Sequence, residues 1–341
     1  MVEKILLIGP MTNTSNSKLT GGAIVAFENL LESLQKQKVD YLLVDTNKKN
    51  YSNILFAYLS IIAQILSKQF QVKHITLHSS RDYLYLAPLI IVLGKTFRKS
   101  TSLRKFGGEA WDTYIGSSGI KKKLLTFIFK NIDFLFLEMN ILVNNFKKLN
   151  INTFWFPNVR KNHSFLLEAK KYRKRFVFMS HVKREKGIDE LITVVRLLDN
   201  SYILDIYGTI DQTQYSEASL LKQGVRYKGA LNAKEVLSTL SEYDVLVLPS
   251  YKEGYPGIVI EAYSMGLPII VTALSGLKEI TDDYETGILI EKQNVQQLKE
   301  AIEYFNENNY DKMSINAREK FSLFNSEKQT ELFLNTIKMG L

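Results

Sequence analysis

The chain contains no cysteine. That excludes disulfides and thiolate metal sites, and it argues against an exported, cross-linked protein. A secretory leader is not expected either: Met1–Pro10 has the pattern of a core strand, not of a basic segment followed by an apolar one. The most apolar stretch, within 51–70, is interrupted by Ser60 and Gln64 and falls short of the roughly 20 apolar residues of a membrane span. It reads as a buried helix. No GxGxxG fingerprint, nucleic-acid motif, internal repeat or low-complexity segment is present, nor any Asp-x-Asp pair or histidine cluster to bind a metal. These absences predict a cytoplasmic protein with neither a metal nor a cofactor, and with no nucleic acid as partner.

What is present suits two globular domains. The 341 residues are 45% hydrophobic and 23% charged, enough for two separate cores. The net charge of +9 is unevenly spread: residues 1–174 hold 26 Lys/Arg against 11 Asp/Glu, and residues 175–341 hold 18 against 24. A basic first half fits an acidic polymer or an anionic membrane surface, and equally a lysine-rich surface that serves solubility. Lys121-Lys122-Lys123 precedes an apolar aromatic helix (Leu124, Leu125, Phe127, Ile128, Phe129). That pattern reads either as an interfacial membrane contact or as a helix packed on a sheet with a solvated basic start.

Strand and helix patterns alternate along both halves, which predicts α/β architecture with parallel sheets. Lys4–Ile8 reads as a strand, Gly9–Thr20 as a polar loop, and Gly21-Gly22 as the opening of a helix. Glycine there lets a backbone approach a phosphate closely, or else serves a tight packing turn. His78 falls at the carboxyl end of a predicted strand, where open sheets bind ligands. Leu84–Leu93 reads as another buried helix.

The most informative stretch is Pro249–Thr272, PSYKEGYPGIVIEAYSMGLPIIVT. An apolar strand, Val245–Leu248, leads into a loop carrying Glu253, Gly254, Tyr255, Pro256 and Gly257. Gly257–Ser264 is predicted helix, with Pro256 suited to its first turn and Gly266 to its C-cap. First-turn amides at Gly257, Ile258 and Val259 favour an anion. Glu261 lies eight residues past Glu253, about 12 Å along a helix at roughly 1.5 Å per residue. Glycosidase carboxyls stand closer, roughly 5–10 Å apart across one bond. The wider spacing suits the two ends of a long ligand with an anion between them, such as a nucleotide sugar.

This stretch resembles the glutamate–seven residues–glutamate signature of glycosyltransferase family 4, retaining enzymes of the GT-B fold. P-S-x-x-E-G-x-P, E-A and G-x-P-I/V-I/V recur in order, and Leu274–Ile280 and Asp282–Ile290 repeat the family's G-x-x-E-I and T-G-hydrophobic segments. Members of this kind build bacterial surface polysaccharides. The resemblance implies two doubly wound Rossmann-like domains facing across a cleft. It implies an acceptor-side domain over residues 1–160, a linker over 161–174 and a donor-binding domain over 175–325. A C-terminal helix, about 326–341, crosses back to the first domain. It implies a donor nucleotide-diphosphate sugar and a glycan or lipid-linked acceptor, and Glu253 on the sugar hydroxyls with Glu261 on the ribose.

Lys186-Gly187 matches the family's diphosphate-gripping Lys-Gly. The arginine five residues earlier is replaced by His181, with Arg184 nearby as a substitute cation. Lys228 and Leu231 fall on the edge strand that lines the base pocket, and Gly21-Gly22 on the loop above the leaving group. Phe106 stands where many members carry a histidine. Arg104, Lys105, Glu109 and Asp112, with His78, are then the polar groups expected on the acceptor side. Three rival readings share these residues: a nucleotide-sugar epimerase or phosphorylase on the same fold, a non-catalytic sugar-nucleotide-binding partner, and a nucleic-acid binder using the basic half.

Overall fold

A computed structural model of the chain describes residues 4–13, 21–161 and 171–338. Most of the expected Gly9–Thr20 loop, most of the 161–174 linker and the last three positions of the expected terminal helix lie outside the described residues. The chain divides into two compact units, residues 1–161 with 325–341, and residues 162–324.

The first unit runs β1 (Ile5–Gly9), α1 (Gly22–Lys36), β2 (Tyr41–Asp45), α2 (Ile54–Lys68), β3 (His74–Ser79) and α3 (Tyr83–Phe97). It continues through β4 (Ser100–Lys105), α4 (Ala110–Ile115), α5 (Gly119–Asn131), β5 (Phe134–Leu137), α6 (Asn140–Phe146) and β6 (Thr153–Trp155). All its strands are parallel, in the order β2-β1-β3-β4-β5-β6.

The second unit runs β7 (Arg175–Met179), α7 (Ile188–Val195), β8 (Ile203–Tyr207), α8 (Glu217–Lys222), β9 (Arg226–Tyr227), α9 (Val236–Leu240) and β10 (Val245–Leu248). Then come α10 (Gly257–Ser264), β11 (Ile269–Thr272), α11 (Ser275–Ile280), β12 (Gly287–Ile290), α12 (Val295–Tyr304) and α13 (Glu307–Phe321). Its parallel strands are ordered β12-β11-β10-β7-β8-β9. The last helix, α14 (Ser326–Lys338), belongs to the first unit.

The first core forms where α1 and α14 cover one face of their sheet. Phe27, Leu30 and Leu34 of α1 and Phe333, Leu334 and Ile337 of α14 meet Ile5, Leu7, Phe134, Phe136 and Phe156. Phe333 lies 5.0 Å from Phe136 and 5.7 Å from Phe156, ring centre to ring centre. Each such buried side chain contributes about 1.5–3 kcal/mol. In the second unit, Val245–Leu248 is apolar and buried at every position. An unbroken run of this kind belongs to a parallel strand covered on both faces. Asp244, just before it, accepts hydrogen bonds from the amides of Arg173 and Arg175 at 2.8 and 2.9 Å, fixing the start of β7 beside β10.

One expectation fails. Within 51–70, α2 is not a buried helix: Ala57, Ile61 and Ile65 face inward, whereas Leu55, Leu59, Ile62 and Leu66 are exposed. The apolar residues surround the helix, and one sheet face can cover only one stripe of them. Among the described residues no helix is long and apolar enough to cross a membrane.

Candidate active site

In the second sheet the chain order reverses between β7 and β10, which are neighbours. The carboxyl ends of two such strands diverge into loops that leave a crevice, the usual ligand position of open α/β sheets. Both loops carry residues singled out above. After β7 the chain makes one 3-10 turn, Arg184–Lys186, and enters α7 through Gly187. Gly187 has φ +81°, and a Cβ there would lie 2.3 Å from the Pro249 carbonyl oxygen. Only glycine fits, so the Lys186 loop presses directly on the start of the Glu253 loop. Tyr251 joins them as well: its amide donates to the Glu185 carbonyl at 2.8 Å, and its hydroxyl to the Glu190 carboxylate at 2.7 Å. Burial, with that carboxylate beside it, pushes the Tyr251 phenol up to about 12.

At the mouth, Lys186 Nζ lies 2.5 Å from Glu253 Oε1, which also accepts from Ser250 Oγ at 2.9 Å. Both side chains keep partial exposure, 17% and 12%. The pair is therefore neutralised internally yet open to a ligand. Behind it stands α10, with Pro256 as its N-cap residue at φ −69°. The Val259 amide bonds the Pro256 carbonyl, so Gly257 and Ile258 are the amides left to an anion at this end. The far end closes as a Schellman turn: Gly266 at φ +70° donates to Tyr263, and Leu267 to Ala262. Because α10 starts at Gly257, half of the Glu253–Glu261 interval is loop, and the 12 Å helical spacing does not apply. Gly254 and Pro256 are half-buried in that loop, and Glu261 is half-buried within α10. Tyr255 turns inward, its ring 6.0 Å from Phe324.

Other expected donor residues lie further out. His181 is exposed. Arg184 is also exposed and pairs with Asp189 at 3.0 Å, on the α7 side. Lys228 follows the edge strand β9, its amide bonded to the Ile206 carbonyl, and Leu231 is half-buried beyond it. In the first unit, Gly21 and Gly22 open α1 exposed, and among the described residues no atom lies within 4 Å of a Cβ built at either.

The acceptor-side expectations need correction. His78 is fully buried inside β3, its ring among Phe27, Phe106 and Phe333, and desolvation holds it well below the ordinary imidazole range. Arg104 is fully buried in β4, its guanidinium 3.6 Å from the Phe156 ring centre and one nitrogen donating to the Pro157 carbonyl at 2.5 Å. Lys105 is buried beside it and donates to the Phe106 carbonyl; burial lowers its ammonium to about 8. These side chains are interior because they sit within strands rather than on the loops after them. Glu109 is exposed at the start of α4, and Asp112 lies in that helix's first turn. Sequence reasoning missed Glu138. It is buried just after β5, accepts the Gly107 amide at 2.7 Å, and is raised above the ordinary carboxylate range by burial. Its one signal was a lone acid following an apolar strand.

Comparison with known proteins bears on the family and the fold. Residues 159–320 match the family described as glycosyl transferases group 1. An uncharacterised 41.2 kDa protein from the cps region of Klebsiella pneumoniae is 29% identical over 137 residues, 40% of this chain and 38% of that protein. The putative teichuronic acid biosynthesis glycosyltransferase TuaC of Bacillus subtilis is 32% identical over 126 residues, 37% and 31% of the two chains. The chain thus spans about a third of the length of these curated relatives. Among solved structures, Anabaena HepE in complex with UDP superposes with a TM-score of 0.74 at 12% identity, covering 98% of this chain and 100% of that one. Sucrose-phosphate synthase of Thermosynechococcus elongatus gives 0.75 at 16%, covering 99% and 98%. These likenesses show the GT-B fold. The segment that matches the glycosyl transferases group 1 family is the one built around the β7–β10 crevice.

Proposed function

We propose that the protein moves a sugar from a nucleotide-diphosphate sugar to a glycan or lipid-linked acceptor, with retained anomeric configuration. The observation that carries this reading is the Lys186–Glu253 pair, held at the switch point in front of the α10 amides. A donor entering the crevice separates the pair. Lys186 turns to the diphosphate, and Glu253 is released to accept hydrogen bonds from the sugar hydroxyls. Glu261, about one turn along α10, takes the ribose. As the bond from the anomeric carbon to the phosphate oxygen breaks, negative charge grows on the diphosphate. Lys186 and the Gly257 and Ile258 amides stabilise it electrostatically, so the reading requires no metal. The acceptor oxygen bonds the same face of the sugar, and its proton passes to the departing phosphate.

HepE was crystallised with UDP and with UDP-glucose, and a relative from Campylobacter jejuni acts on a diphospho-undecaprenol acceptor. Both support testing uridine donors and lipid-linked acceptors first. The reading includes a cytoplasmic enzyme, peripheral to the inner face of the membrane. A screen of UDP-, GDP-, ADP- and dTDP-sugars by thermal shift, followed by product analysis with an acceptor, tests it. One donor class should raise the melting temperature and give a glycosylated product in the donor's anomeric configuration. Stabilisation by no nucleotide sugar, or an inverted product, contradicts it.

A further inference from the structure

On the first unit, α2, α3 and α5 lie side by side. Tyr58 of α2 meets Tyr85 of α3 at 6.1 Å, and Phe70, just past α2, meets Phe97 of α3 at 5.3 Å. Lys95 of α3 donates to Asn131 and lies over the Phe127 ring of α5. The outward stripe of α2 is apolar at every turn. Leu55 is 71% exposed and Leu59 60%, with Ile62 and Leu66 continuing the line and Phe70 beyond it. Tyr85 and Val92 extend the patch onto α3, and Ile120 and Phe127 onto α5. Scattered exposed apolar residues are ordinary; a line of them along one helix, continued on its neighbours, marks a contact surface.

The charge around the patch has one sign. None of the three helices contains an aspartate or glutamate. Their exposed cations, Lys95, Lys121, Lys123 and Lys130, are joined by Arg98 at the end of α3. From residue 46 to residue 108 the sequence has ten Lys/Arg and one acid, Asp82, and that acid is paired with Lys48 at 2.7 Å. A second copy of this face would set cations against cations. A bilayer with anionic headgroups offers the complement: acyl chains for the leucines and phosphates for the lysines.

We infer that the α2–α3–α5 face docks on an anionic lipid bilayer, with the Leu55–Leu59–Ile62–Leu66 stripe entering the headgroup–acyl boundary. The helices lie on the surface and do not cross it. This deepens the membrane-peripheral part of the proposed function by naming the surface, and it does not rest on the donor site, since no residue of the β7–β10 crevice takes part.

The test is vesicle flotation of the intact protein without nucleotide or acceptor. Vesicles of phosphatidylcholine with about a third phosphatidylglycerol should capture the wild type, and pure phosphatidylcholine should capture roughly fivefold less. Leu59→Gln with Leu66→Gln should lower capture on the anionic vesicles roughly tenfold, with an unchanged thermal melt because both side chains face outward. Lys121→Gln with Lys123→Gln should lower it less, and should flatten the difference between the two lipids. Ile315→Gln, an exposed apolar position of the second unit, should change nothing. The inference is overturned by absence of capture, or by full capture with the two leucines replaced. A vesicle-free dimer that dissociates in the leucine variant also overturns it, assigning the face to a second copy.

Discussion

Each unit has one point where its strand order reverses, β1 beside β3 in the first and β7 beside β10 in the second, and the two are furnished differently. In the second, the polar residues stand on loops beyond the strand ends: Lys186 after β7, Glu253 after β10. They are partly exposed, and among the described residues they pair with one another and, for Glu253, with Ser250. In the first, His78, Arg104 and Lys105 stand inside β3 and β4, shielded by aromatic rings, and burial lowers the proton affinity of all three. A polar side chain at a strand's carboxyl end is available to a ligand only once the chain has left the ladder. Within the ladder it alternates between two covered faces.

That difference explains what could be read in advance. The α/β alternation and the α10 boundaries follow from apolar patterning with glycine and proline placement, which act locally and leave a signature of a few residues; that Lys186 and Glu253 pair with each other came only from the structure. Gly187 is the clearest instance, because its left-handed φ and its contact with Pro249 both demand glycine. Burial of Arg104 and exposure of Leu59 were not legible. Each depends on how much surface a sheet offers its covering helices, a property of the assembled layer and not of any short segment. The 12 Å estimate for Glu253–Glu261 failed for a related reason, since it treated loop residues as helix.

The sharpest way to break the comparison is to remove one member of the second unit's pair. Glu253→Ala and Lys186→Ala should each lower kcat roughly 100- to 1,000-fold in a donor-consumption assay, with less than additive loss in the double variant because the two groups act on one ligand. Equal loss from His78→Asn at unchanged stability would restore the first unit's strand-end residues to the site. Gly187→Ala should lower unfolding stability by more than about 2 kcal/mol, read by denaturant titration, since positive φ and a backbone clash coincide there. Glu261→Ala should weaken nucleotide binding about tenfold and leave kcat little changed, separating ribose binding from leaving-group stabilisation.

The smallest effect concerns the first unit. The Lys105 ammonium is lowered from 10.5 to about 8 by burial, so the unfolded chain binds a proton that the folded chain lacks between those values. Stability therefore rises with pH from about 8 toward 10.5, and is lost as pH falls through that window. Lys105→Met should shallow the rise relative to wild type in parallel denaturant titrations at pH 8 and pH 10. An identical slope in the two proteins would show that Lys105 is solvated, and with it the contrast between the two strand ends would weaken.

The central claim is that Lys186 exchanges Glu253 for a donor diphosphate. Calorimetric titration of the stabilising nucleotide sugar, and of the matching nucleoside lacking phosphates, into wild type and Lys186→Ala tests it most directly. The account predicts that Lys186→Ala weakens the nucleotide sugar by about tenfold or more and leaves the nucleoside unchanged. Equal affinities of the two proteins for the nucleotide sugar would contradict it.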